Sequence, residues 1–236
     1  MMKYVDNARV LGLGETMRFM ECCEGEKRMA DKLELFAKKH IDGHAPGIRG
    51  KEVQAYRLAG VENDHECSTA EEVLDKLRAG LHIYVREGSG AKNLETLIKT
   101  MLDAGVCLDR CAFCTDDKHV EEIRKEGHIS TCIRKAIALG VPVAKAYKMG
   151  SYQAAEFYGL KNYGAIGAGY RADIVFLDDL EQVRPLDVMK DGRILTEEDY
   201  AKDYSVPVPD ELLHTVHVGE VTKEKIRLSC DGKTDM

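Results

Sequence analysis

The 236-residue chain contains no tryptophan and no low-complexity tract. No stretch approaches the about 20 apolar residues that cross a bilayer, so nothing in it reads as a membrane span. The opening MMKYVDNARV lacks the apolar run of a secretory signal. Positive charge is in short supply: 34 Lys and Arg face 41 Asp and Glu, a net charge of −7. That balance gives no electrostatic footing for nucleic acid or an anionic membrane. No short-period repeat marks a solenoid. What remains is a globular chain, 44% hydrophobic and 32% charged, able to bury a core within one large domain or one and a half. Its eight cysteines, without an export signal, point to free thiols in a reducing cytoplasm.

Three of those cysteines, Cys107, Cys111 and Cys114, are spaced C-x3-C-x2-C in CLDRCAFC. The spacing is similar to the iron–sulfur loop of radical S-adenosylmethionine enzymes. Such a cluster needs its thiolates on a flexible loop. CAFC instead reads as a buried strand, in which positions three apart face opposite sides. No Gly-Gly-Glu-like strand accompanies it. No second C-x-x-C supplies four zinc ligands. The H-x-E…P-C-x-x-C signature of the zinc deaminases is missing too. The cysteines are read as small apolar packing residues.

Short apolar runs alternate with amphipathic segments over the first two-thirds of the chain. Strands are expected over 8–15, 41–47, 61–67, 81–89 and 111–117. Helices are expected over 25–40, 51–60, 68–80, 93–105, 129–140 and 142–160. A capping signal, Ser68 to Glu71 or Thr69 to Glu72, opens the third helix. Strands each followed by a helix argue for parallel βα units in a barrel or doubly wound sheet. Ionisable residues recur at the strand C-terminal ends: Glu15, His44, Asp64-His65-Glu66, Arg86-Glu87 and Asp116-Asp117. In a barrel those ends share the face where active sites lie. Glu15, His44, His65 and Asp116 together offer two carboxylates and two imidazoles, a donor set suited to Mn, Fe or Zn. His82, His128, His214 and His217 are read as ordinary histidines. From Gly164 the pattern becomes β, with a hairpin signal at Asp191-Gly192.

GLGE, DGHAPG, DHECST, REGS and TDDKH occur in that order. With the stretch from KAYKMGSYQAAEFYGL to MKDGRIL, and HTVHV at 214–218, they resemble bacterial-type adenine deaminases of the amidohydrolase superfamily over roughly residues 5–220. The resemblance implies a partial (β/α)8 TIM-type barrel, strands four to eight, in residues 1–163. A small segment of the superfamily's β domain would follow in 164–198, then a polar tail in 199–236. It implies hydrolysis of adenine to hypoxanthine and ammonia by metal-activated water, with Mn or Fe as the metal and Zn also suitable. Glu15, His44, His65 and Asp116 would be the metal ligands. Asp116 would also take a proton from water, with Glu87 and Asp117 as further catalytic carboxylates. Arg86, Glu87, Ser89 and His119 would contact the purine.

One departure from the family is large. Its members carry a His-x-His pair on the first barrel strand, and none of the eight histidines here is so spaced. The first strand of this chain matches the family's fourth. Five strands cannot close a barrel, and the first would present an unpaired edge. Three readings follow: a truncated or split gene product, a deliberate fragment, or half an enzyme completed by a complementary N-terminal chain that supplies the missing strands; a homo-oligomer is the other partner state expected. A non-catalytic remnant that contributes only an interface is the alternative to an enzyme.

Overall fold

A computed structural model describes residues 2–202 and 205–227. Cys230, one of the eight cysteines, lies outside them. The chain divides into two units, Met1–Leu195 and Thr196–Met236.

The first unit opens with a short helix, α1 (Met2–Val5). Strand β1 (Gly12–Thr16) then leads into α2 (Phe19–Glu24) and α3 (Lys27–Leu35). Three strand–helix pairs follow: β2 (His40–Gly43) with α4 (Gly50–Leu58), β3 (Asn63–Asp64) with α5 (Ala70–Arg78), and β4 (His82–Arg86) with α6 (Leu94–Asp103). Strand β5 (Cys111–Cys114) is followed by α7 (Val120–Glu126), α8 (Ile129–Ala138), α9 (Val143–Gly150) and α10 (Tyr152–Phe157).

β1 pairs with β2 and β3–β4–β5 form a second ladder, all parallel. The two ladders meet where Glu62 N–H donates to Ile41 O at 3.0 Å. Gly43 makes this approach possible, because a Cβ there would collide with the Asn63 carbonyl. The order is therefore β1 to β5 in sequence, as consecutive βα units require.

Alternation along the strands sets the layers. Ile83, Val85, Cys111 and Phe113 face helices α5, α6, α8 and α9 in one core. Leu13, Ile41 and Val61 pack with α2, α3 and α4 in another. On the opposite face of the strands, Tyr84 and Ala112 meet Phe157, with Cys114 and Tyr158 against them. The expected helix over 142–160 breaks at Ser151, whose backbone leaves the helical region at φ −145°, ψ −78°. The break lets α10 turn over the strand starts. There Phe157 packs its ring 4.4 Å from His82 and 5.1 Å from His40.

The Thr69–Glu72 alternative is the capping box that forms at α5. The final three strands, β6 (Ile174–Leu177), β7 (Pro185–Lys190) and β8 (Arg193–Ile194), make an antiparallel sheet. Its β7–β8 turn is Asp191-Gly192, with φ of 51° and 79° as a type I′ turn needs. The second unit contains α11 (Glu197–Tyr200) and α12 (Asp210–Leu213). Among the described residues, no helix is long and apolar enough to cross a membrane.

Candidate metal centre

Five parallel strands deliver their C-terminal ends to one edge, and the sequence places an acid or histidine at each. Glu15 sits within the end of β1, next to Thr16. His44 follows β2 directly. Tyr56, fully buried on α4, holds these two ends together: its hydroxyl donates to Thr16 O at 2.9 Å and accepts from His44 N–H at 3.0 Å. Burial pushes the Tyr56 phenol above its ordinary pKa, so the donor keeps its proton.

The next two loops are locked by a buried ion pair. Lys76 on α5 and Asp64 at the end of β3 are both fully buried, with Lys76 Nζ 3.0 Å from Asp64 Oδ1. Lys76 also donates to Ala45 O at 2.7 Å. Asp64 accepts from Ala45 N–H and Glu66 N–H, each at 2.8 Å. One ion pair thus fixes the backbone beside His44 and on both sides of His65. A buried charge pair is tolerated only when its remaining lone pairs and protons are bonded in this way.

The side chains converge. Glu15, His44 and His65 each offer a ligand atom within 4.8 Å of the others. The His44 and His65 rings meet edge-on, 5.2 Å apart. His44 Nδ1 is 3.4 Å from Glu15 Oε2 and 3.8 Å from Glu66 Oε1. These are ion-pair distances without hydrogen-bond geometry, so Nδ1 is buried with no hydrogen-bond partner. Such an orphan is costly unless something else takes its lone pair. Two imidazoles and a carboxylate around it are the donor types that hold Mn, Fe or Zn, and they fit a divalent ion.

Asp116 follows β5 with φ at +48°. This left-handed conformation is rare outside glycine, and Asp is among the residues that tolerate it best. Its Oδ2 lies 2.9 Å from Arg86 Nη1. Arg86, at the end of β4, also engages Glu66, whose carboxylate is 3.5 Å from His65 Nε2. Burial works against the Arg86 charge, but Glu66 and Asp116 outweigh it and raise its pKa.

The remaining expected site residues are tied elsewhere. Glu87, buried, bonds Lys135 of α8 at 2.5 Å and so faces the helix layer. Asp117 accepts from Gly90 N–H at 2.8 Å and Ser89 N–H at 3.1 Å. The Gly90 N–H, against slight burial and with the Ser89 N–H, holds its carboxyl below the usual range. Ser89 Oγ donates to Glu122 at 2.5 Å and accepts from His119 N–H at 2.9 Å, so Ser89 and His119 lie in one loop cluster. His119 itself precedes the first turn of α7.

The sequence pointed to neither Tyr56 nor Lys76, and it placed Glu66 among the strand-end ionisable residues without giving it a role. A lysine flanked by Val73 and Leu77 on the buried face of an amphipathic helix was the available sign for Lys76. Glu66 lay inside DHE, beside His65.

The three cysteines do not converge. Cys111 Sγ points toward Met101 Sδ, 3.7 Å away in the helix layer. Cys114 packs on the opposite face, and Cys107 is exposed. Burial pushes the Cys111 thiol up to about 12, which disfavours the thiolate a cluster requires.

Residues 24–195 match the amidohydrolase family, and the chain belongs to it. Within that family it is similar to adenine deaminases. It is 41% identical to that of Desulfitobacterium hafniense over 226 residues, which is 96% of this chain and 39% of that protein. With the adenine deaminase of Clostridium acetobutylicum it shares 41% over 231 residues, 96% of this chain and 40% of the other. That of Gluconobacter oxydans is 43% identical over 194 residues, 82% of this chain and 34% of the other. The chain thus spans about two-fifths of the first two relatives and a third of the last. Among solved structures, a β-aspartyl dipeptidase from Fervidobacterium islandicum superimposes with a TM-score of 0.60 at 17% identity, covering 86% of this chain and 62% of the other. That likeness concerns the fold, an α/β arrangement with parallel strands.

Proposed function

We propose that the chain carries the metal-binding half of an adenine deaminase, which hydrolyses adenine to hypoxanthine and ammonia. The observation that supports this best is the convergence of Glu15, His44 and His65 around the unpartnered His44 Nδ1. In this reading β1 to β5 are strands four to eight of a (β/α)8 barrel within residues 1–163. Residues 164–198 form a β-domain segment, and 199–236 a tail.

Glu15, His44 and His65 would hold the divalent ion, Mn or Fe by preference, with Asp116 beside it. When bound there, such an ion would supply water of lowered pKa, and so hydroxide near neutral pH. Asp116 accepts the proton that water gives up on attacking C6 of the purine. Passing that proton to the amino group lets ammonia leave and completes the exchange of NH2 for oxygen. Arg86, bonded to Asp116 Oδ2 at 2.9 Å, aims it. Ser89 and His119, on the loops after β4 and β5, would make polar contact with the base. Glu87 and Asp117 would act at one remove, Glu87 securing the end of β4 to α8 and Asp117 securing the loop after β4 to the loop after β5.

The test is an assay of ammonia and hypoxanthine with Mn(II) or Fe(II). It is run on the chain alone and on the chain mixed with a polypeptide carrying the His-x-His portion of a relative. We expect equal amounts of the two products, dependent on metal, from the mixture, and none when His44→Ala replaces the wild type. If the mixture binds metal and leaves adenine untouched, the substrate assignment is wrong.

A further inference from the structure

At the strand starts, the opposite end of the sheet from the metal centre, lies a cavity of about 320 Å³. Arg57, in the last turn of α4, and Arg110, just before β5, both line it. Each guanidinium spends one N–H on a backbone carbonyl. Arg57 Nη1 donates to Val61 O at 3.3 Å, and Arg110 Nη2 donates to Gly80 O. Among the described residues, neither is ion-paired. Two carboxylates line the same cavity. Glu62 is engaged by His40 at 2.7 Å, and Glu156 is exposed, accepting from the Tyr152 hydroxyl at 3.3 Å. His82, the first residue of β4, completes the wall, with the Phe157 ring against its own. Among the described residues, no hydrogen bond reaches its ring nitrogens. Burial first, and then the Arg110 charge, lowers the His82 pKa to about 4; Arg57 and His40 act in the same sense and Glu62 against them. Of these charges, the positive ones prevail at the ring.

We propose that this cavity binds a phosphate group, with Arg57 and Arg110 on its oxygens and His82 donating one ring N–H. Three features argue for it. A guanidinium is always charged and carries five donors in a planar fork. Two of them on one cavity, each with donors to spare and no ion partner, call for an anion. A carboxylate has two oxygens, which a single fork fills. A phosphate has at least three, so that both forks and an imidazole N–H can bond to it at once. The neutral His82 ring supplies that N–H without having to take up a proton. Of the lining carboxylates, Glu62 is already held by His40, which leaves Glu156 at the mouth facing the anion against two guanidiniums. The volume lies at the lower end of the about 300–1,000 Å³ of small-molecule sites. It exceeds a phosphate ion, so a small phosphate monoester also enters. The site stands apart from the metal reading, which it neither uses nor requires.

The metal-free full chain is titrated by calorimetry with inorganic phosphate, glycerol 3-phosphate and acetate at low ionic strength. One phosphate should bind per chain, and acetate should not bind over the same range. Tighter binding of glycerol 3-phosphate identifies the ligand as a monoester, and tighter binding of inorganic phosphate as the free ion; either supports the site. Arg57→Gln and Arg110→Gln should each weaken binding by about 10-fold or more, with melting curves to show that they fold. His44→Ala, at the other end of the sheet, should bind phosphate as the wild type does. NMR on the wild type locates the anion, and decides the matter if an arginine variant does not fold. The His82 ring resonance, assigned with His82→Phe, should titrate at higher pH once phosphate is bound, because an anion beside the ring favours its protonated form. A wild type that binds no phosphate, or binds acetate as tightly, overturns the proposal. So does an affinity unchanged in both arginine variants, loss of binding in His44→Ala, or a His82 titration that phosphate leaves unmoved.

Discussion

The two ends of the parallel sheet are built from similar residue types and put them to opposite use. At the strand starts, His40 lies 2.7 Å from Glu62, and Tyr158 donates to Asp42 at 3.1 Å. Phe157 is driven among their rings. Histidine and carboxylate there pair with each other under an aromatic cover. At the strand ends, Glu15, His44 and His65 converge without such a cover, Asp116 groups with His65 and Glu66, and one buried imidazole nitrogen has no hydrogen bond. The lesson is that histidine count says little. What distinguishes a site from a seal is whether the groups satisfy one another.

If the two ends are independent in this way, substitutions should separate them. The largest effect belongs to the buried pair that braces the site. Lys76→Met leaves the Asp64 carboxyl buried without its charged partner, and should cost about 3–5 kcal/mol in urea unfolding. The double variant Lys76→Met with Asp64→Leu should recover much of that loss in stability, though not the positions of His44 and His65. At the other end, Phe157→Ala removes the aromatic cover and should cost about 3–4 kcal/mol. Its Mn(II) affinity, read by calorimetry, should match the wild type. A fall in affinity with Phe157→Ala would show that the ends are coupled.

His44→Ala is the reverse case. Metal-free melting should hardly change, because the substitution removes an unsatisfied buried nitrogen. Mn(II) affinity should fall by about 100-fold, equivalent to about 3 kcal/mol.

The smallest effect concerns pH. Burial, then the nearby Arg110, lowers His82 to about 4 in the folded chain. The unfolded chain has an ordinary histidine and therefore binds more protons between about pH 6.5 and 4. Stability is fully present above that window and is lost as pH falls through it. The loss should be roughly 2 kcal/mol, reduced by the partial exposure of the ring. His82→Phe should flatten this slope in melting curves from pH 4 to 7. An unchanged slope would place the acid sensitivity elsewhere.

Much of the architecture was legible in the sequence for a plain reason. The switch between period-2 and period-3.6 apolar spacing marks strands and helices, and each junction carried its own signal. The Thr69–Glu72 box and the Asp191-Gly192 turn are local chemistry, and both form as read. Helix α7 was not legible because VEEIRKE buries none of its side chains, so it has no apolar period to see. The break at Ser151 was hidden because the apolar pattern runs straight through it. It is packing of Phe157 over the strand starts, from distant parts of the chain, that favours the turn. The site divides the same way. Acidic and imidazole residues at strand ends could be read from position alone. The Arg86–Glu66 pair spans 20 residues and two strands, and the Lys76–Ala45 bond 31, so only the fold brings them together.

The central claim is that two histidines from neighbouring strand ends bind one divalent ion. X-ray absorption at the metal edge of the Mn(II)-loaded full chain tests it most directly. Two imidazole ligands give outer-shell scattering that carboxylates and water do not. We predict that signature in the wild type, halved in His44→Ala and in His65→Ala. A spectrum of oxygen ligands alone, unchanged by either substitution, would contradict the account.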